Sequence, residues 1–143
     1  MTTPTTALVF YLRADPAVAA LVQGRVWQIL LPQPAVLPAV VLTTVSEPEA
    51  YQLRGVAGVT PTRVQVDCYA DERDGVDAKA EVDAVAAAVD TALSGRRVAA
   101  AEFLLSPVLR VNRIDSFEAE EVRAFRVMLE YVVSTRLALR PSA

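Results

Sequence analysis

The sequence predicts an α+β domain with helices packed on one face of a mostly antiparallel sheet, in the order α-β-β-β-α-β-β. Three patterns carry that expectation. From Thr62 to Tyr69, Val64, Val66 and Cys68 alternate with Arg63, Gln65 and Asp67, which is the period of a half-buried strand. From Val76 to Leu93, the residues Val82, Val85, Val89 and Leu93 recur at helical spacing. From Val122 to Thr135, Val127, Leu129, Tyr131 and Val133 alternate with Arg126, Met128, Glu130 and Val132. That second set is only weakly polar, which suits a strand whose outer face is partly covered. Helices segregated against such a sheet define the α+β class.

The remaining elements follow in order. Thr3 caps a first helix, Pro4 suits its first position, and Leu8, Val9 and Leu12 make its apolar face. Asp15-Pro16 restarts a short helix with Val18, Leu21 and Val22 facing inward, and Gly24 stops it. Arg25 to Leu30 is a short strand. Leu31 to Pro38 holds three prolines and is extended or turned. Ala39 to Val45 is β-branched and reads as a strand. Pro48 to Val59, with Gly55 and Gly58, reads as a long exposed loop. Asp71 to Gly75 is a polar turn from which Asp74 can cap the next helix, and Ser94-Gly95 ends that helix. Val108 to Ile114 is a strand, joined to the last one by the acidic segment Asp115 to Glu121. Ala99 to Pro107 has no assignment.

The chain has 143 residues and reads as a single domain, 1–143. A domain of that length buries roughly 70% of its unfolded surface and needs no disulfide or metal to fold. Its residues are 53% hydrophobic, above the usual share of about 45–50%. Much of the excess is Ala and Val; the rest points to apolar surface covered by a partner or by further copies. No stretch reaches the roughly 18 apolar residues of a membrane span, and Met1 to Thr6 lacks the features of a signal peptide, so synthesis is expected in the cytoplasm. Thirteen arginines stand against one lysine, scattered, with a net charge of -3. A weakly acidic chain without a basic stripe is poorly suited to gripping DNA phosphates.

There is no histidine. That removes the commonest general base, the Ser-His-Asp and Cys-His arrangements and most zinc sites. No P-loop or Rossmann glycine pattern is present. Asp67, Asp71, Asp74 and Asp77 gather around one turn and could be read as a Mg²⁺ or Ca²⁺ site; capping and solvation explain them better, since the spacing is not that of an EF-hand. Glu118, Glu120 and Glu121 suit a solvated hairpin tip better than an acid pair, because no apolar wall flanks them. Cys68 alternates inward with Val64 and Val66 and reads as a buried, inert thiol. Trp27 and Tyr69 could stack on bases, but their neighbours make them core or interface aromatics. Neither cofactor, metal nor catalytic residue is expected.

Set in order, the parts form a recognisable series. Asp15-Pro16-Ala17-Val18-Ala19-Ala20-Leu21-Val22 is followed by Arg25-Val26-Trp27, Pro32-Gln33 and Leu37-Pro38-Ala39-Val40-Val41. Leu53-Arg54-Gly55 and Val64-Gln65-Val66-Asp67-Cys68-Tyr69 come next, then an Ala-rich helix and Arg126-Val127-Met128-Leu129-Glu130-Tyr131. This series resembles the tail-terminator, or tail-completion, family of long-tailed phages and phage-derived gene transfer agents, over about Leu8 to Val133. The resemblance implies a virion structural protein that is not an enzyme. It implies a homo-hexameric ring at the head-proximal end of the virion tail, which sits on the tail tube protein, ends its polymerisation and presents a surface to the head-tail connector protein. DNA would pass through the channel without specific binding, and no membrane is involved.

The residues support that reading by their lack of catalytic equipment, their apolar excess and their long loops. A net acidic wall also repels passing phosphates. Candidate assembly-interface residues are Tyr51, Leu53, Arg54 and Gly55 in the first loop and Phe117 and Glu118 in the second, since Tyr and Arg dominate interfaces and glycine adapts its backbone. The alternatives are a head-tail connector or minor tail subunit, a nucleic-acid-binding accessory protein and, last, a metal-dependent hydrolase.

Overall fold

A computed structural model describes residues 3–46, 59–73, 75–98, 103–105, 107–118 and 124–137. Helix α1 (Pro4–Ala14) starts where the Thr3 hydroxyl accepts the amide of Thr6 at 3.1 Å. Helix α2 (Pro16–Val22) starts where the Asp15 carboxylate accepts the amide of Val18 at 3.1 Å. Each cap satisfies an amide with no partner inside its helix, and each proline occupies a position that needs no donor. Gln23 (φ 53°) closes α2 in the left-handed conformation, and Gly24 (φ 80°) completes the turn into the sheet. Among the described residues, no single helix is long and apolar enough to cross a membrane.

Among the described residues, six strands follow: β1 (Val26–Gln28), β2 (Ala39–Ser46), β3 (Val59–Asp71), β4 (Phe103–Leu105), β5 (Leu109–Glu118) and β6 (Ala124–Leu137). Helix α3 (Ala78–Leu93) connects β3 to β4. The sheet runs β1-β2-β3-β6, and the far side of β6 is shared by β5 and β4. Among these described strands, β1 and β2 pair parallel and the other pairs are antiparallel. The expected class and its mostly antiparallel sheet are therefore observed, with one added strand. That strand, β4, falls in the unassigned 99–107 segment and pairs through its backbone with Thr135 to Leu137.

One face of the sheet carries the core. Val40 and Leu42, then Val64, Val66 and Cys68, then Val127, Leu129, Tyr131 and Val133 pack in one cluster with Leu8, Leu12, Val18 and Val22 of α1 and α2. The stripe Val82, Val85, Val89 and Leu93 of α3 joins the same cluster and is fully or almost fully buried. A second, smaller cluster lies on the opposite face, where Leu37 meets Ala39 and Ala124, with Trp27, Leu31, Ala35 and Tyr69 against it. The prolyl segment 31–38 thus covers one end of the outer face. The Pro48 to Val59 loop lies outside the described residues except for Val59, which begins β3.

Three boundaries differ from expectation. β1 ends at Gln28 because Ile29 has φ 71°; the Ile29 amide still donates to the Leu42 carbonyl of β2 at 2.8 Å, but the side chains of Ile29 and Leu30 are exposed. Helix α3 begins at Ala78, capped by Asp77, whose carboxylate accepts the amide of Ala80 at 3.1 Å; the expected cap, Asp74, lies outside the described residues. Asp115 to Glu118 belong to strand β5, not to a loop. Acidic composition suggested solvent there, but the ladder to Ala124–Val127 satisfies the backbone, and two cations neutralise Asp115.

Candidate assembly surfaces

The acidic and nucleophilic side chains have structural work. Cys68 is fully buried, and burial pushes its thiol far above the ordinary range, so it stays protonated and unreactive. Asp67 accepts Nε (2.9 Å) and Nη2 (2.8 Å) of Arg126 on one oxygen and Nε2 of Gln65 (2.9 Å) on the other. Asp71 pairs with Arg73 at 3.3 Å, Arg73 also meets Glu81, and Asp77 caps α3. Among the described residues, no group of three or more His, Cys, Asp or Glu side chains could hold a metal ion.

The side of β5 that faces α3 is charged. Directly paired residues share a face, so Arg110, Arg113 and Asp115 stand on the side of Tyr131, Leu129 and Val127. They reach α3: Arg113 to Asp83 (3.1 Å), Asp115 to Lys79 (2.8 Å) and Arg110 to Asp90 (3.4 Å). Arg113 also pairs with Asp115 at 2.9 Å. Hydrogen bonds from Arg113, then Lys79, hold the Asp115 carboxyl well below the usual carboxylate range, and Asp115 in turn raises both cations. Tyr131, inside the core, donates its hydroxyl to Asp90 at 2.8 Å; burial first and that bond second push its ionisation far up. These contacts clamp the edge strand to the helix.

The other side of β5 is open and mixed, with Asn112 and Ser116, paired to Glu130 and Arg126, among its apolar residues. Leu109 pairs with Val132 and Ile114 with Met128, on the face away from the helices. Leu109 is 57% exposed, Ile114 49%, and Val111, at an irregularity in the register, 49%. At the opposite end of the strand order, Phe10 (60%), Ile29 (72%) and Leu30 (73%) are equally bare. Arg13 lies there between the Phe10 ring (5.9 Å) and the Trp27 ring (5.7 Å). Its guanidinium donates to the carbonyl of Val26 from Nε (2.9 Å) and Nη2 (2.6 Å).

Of the residues the sequence singled out, Tyr51, Leu53, Arg54 and Gly55 lie outside the described residues. Phe117 stands on β5, 40% exposed, with its ring edge-on to Phe125 at 5.0 Å, so it contributes to the monomer as well as to its surface. Glu118 ends β5. Trp27 and Tyr69 pack against the outer cluster, as core-type aromatics do. Sequence reasoning passed over Leu109, Val111 and Ile114, and Phe10, Ile29 and Leu30. No local period shows the first group: strict alternation sets Ile114 with Arg110 and Asn112, and only the register irregularity between Arg110 and Asn112 brings Leu109 and Ile114 to one face. For Ile29 and Leu30, the signal was an apolar run broken by Pro32 at a strand end.

Apolar side chains left bare in this way are the kind that mark surfaces of contact with other proteins. A model of the family Tail completion protein gp17 matches residues 6–136, so the chain belongs to that family and is a tail structural protein of the phage type. Among solved structures, a chain of the virion of a native gene transfer agent particle shares the fold. Its TM-score is 0.74 and its identity 22%, over 92% of this chain and 93% of that one. Among curated proteins the chain has no match.

Proposed function

We propose that this protein is the tail terminator of a phage-type particle. It forms a homo-hexameric ring at the head-proximal end of the tail, stops polymerisation of the tail tube protein and gives the head-tail connector a surface to join. DNA passes through the ring. The observation that carries the reading is membership of the tail completion family in a chain that leaves apolar side chains bare on both edges of its sheet. A fold shared with a chain of a gene transfer agent virion supports a place in such a particle. The net charge of -3 suits a channel that must not hold its cargo, since like charges repel phosphate. No step of this work needs a catalytic group or cofactor.

Contacts with the tube or between subunits are assigned to Tyr51, Leu53, Arg54, Gly55, Phe117 and Glu118. The test replaces Arg54 and Phe117 by Ala together and images the particles. Folded subunits with overlong tails, or tails that fail to join heads, are the expected result. Normal tails with normal infectivity or transfer refute the assignment of these residues. A protein that in assembled particles occurs as one isolated copy, or as an open helical array, refutes the ring.

A further inference from the structure

We propose that two copies of this chain meet head to tail, the β5 edge of one docking on the Phe10–Ile29–Leu30 edge of the next; this rests on the ring reading. Ring closure requires two unlike, complementary surfaces on different sides of one subunit, whereas a two-fold dimer uses one surface twice. The strand order supplies that pair. β5, which among the described residues pairs along one side only, with β6, ends one margin of the sheet, and β1 ends the other. Leu109, Val111 and Ile114 are bare on the first, and Phe10, Ile29 and Leu30 on the second.

Both margins are blunted against simple continuation of the sheet. At β1, Arg13 occupies the carbonyl of Val26, which faces away from β2 because the neighbouring Arg25 carbonyl accepts the Val40 amide at 2.9 Å. At β5, the register shift between Arg110 and Asn112 interrupts the ladder at Val111. A backbone ladder would add strands without limit. What remains on offer is side chains, which fix one rotation between neighbours and so allow closure. The ion pairs to α3 hold β5 from behind and leave its outer side, with Leu109 and Ile114 beside Asn112, to the partner copy.

Disulfide trapping tests this, because the one native cysteine, Cys68, is fully buried and does not compete. Leu30→Cys and Ile114→Cys are made singly and together in the full chain, oxidised mildly both free and in assembled particles, and separated without reductant. The double variant should give a ladder of covalent oligomers. An equal mixture of the single variants should give only dimers with one copy of each. Each single variant alone should give none. Self-linkage of Ile114→Cys alone would mean a two-fold contact and overturns the proposal. Rings detected by native mass measurement that show no Leu30–Ile114 linkage, and that survive Ile29→Asp or Ile114→Asp, overturn this surface and leave the ring standing. A chain that stays monomeric in both settings overturns both.

Discussion

Replacing Arg126 by Met should strand a carboxylate on the outer face of the sheet. The Asp67 side chain is 7% exposed, and Arg126, 26% exposed, meets its Oδ1 at 2.8 Å. Breaking a buried ion pair from one side costs about 3–5 kcal/mol, because the remaining charge keeps its desolvation without its partner. Here a quarter of the arginine side chain already touches water, and Gln65 still donates to the other oxygen at 2.9 Å. Those two facts bring the expected loss to about 2–3 kcal/mol. That is roughly a 30- to 150-fold rise in the unfolded fraction, against a total stability on the order of 5–15 kcal/mol. Urea unfolding at fixed protein concentration, read by circular dichroism, should show the midpoint falling by ~1 M or more with the slope unchanged. Adding Asp67→Asn to Arg126→Met should recover at least ~1 kcal/mol, since the two side chains are coupled. A loss below ~0.5 kcal/mol for the single variant, or a double variant no better than the single, would refute the argument that the carboxylate needs its cation.

Val85→Asp should prevent folding, because Val85 is 1% exposed in the centre of the α3 stripe and an unpaired buried carboxylate costs several kcal/mol; soluble expression with an unchanged melting curve would contradict it. Asp115→Asn should lower the melting temperature by about 2–4 °C at pH 7, the scale of ~1 kcal/mol in a network that is largely open to solvent. Its carboxyl is held low by Arg113 and Lys79, so its stabilisation is complete above the ordinary aspartate value of about 3.9 and is lost as pH falls through the lower folded value. The gap between variant and wild type should accordingly close progressively in acid and shrink in 1 M salt; a gap constant from pH 7 to pH 2 would contradict it.

The elements that were legible are those whose pattern is local. Thr3-Pro4 and Asp15-Pro16 announced two helix starts because a cap and a proline act within one turn. The alternations around Val66 and Leu129 and the stripe through Val85 matched the core because burial on one face imposes its period on the chain. What failed to show was non-local. Strand β4 is three residues long and exists by pairing with the far end of β6. The acidic run at Asp115 hid a strand because its charge is balanced by Lys79, thirty-six positions away in sequence. The candidate interface was sought in loops, where residue types suggested contacts; that bare apolar side chains also stand along a strand at the margin of the sheet is visible only from the sheet order.

From its residues alone, this protein was bound to fold in the α+β class, with helical starts at Pro4 and Pro16 and an inward thiol, and it has neither a histidine nor a nucleotide-binding glycine pattern. Those outcomes depend on spacing and side-chain type, which are properties of neighbours along the chain. The tertiary structure alone decided that β1 and β5 end the sheet, that Arg13 closes the first, and that a bulge marks the second. It also decided that Asp67 is neutralised by Arg126, fifty-nine residues on. Strand order and cross-sheet pairing join residues distant in sequence, and no local pattern encodes which distant segment supplies the neighbour.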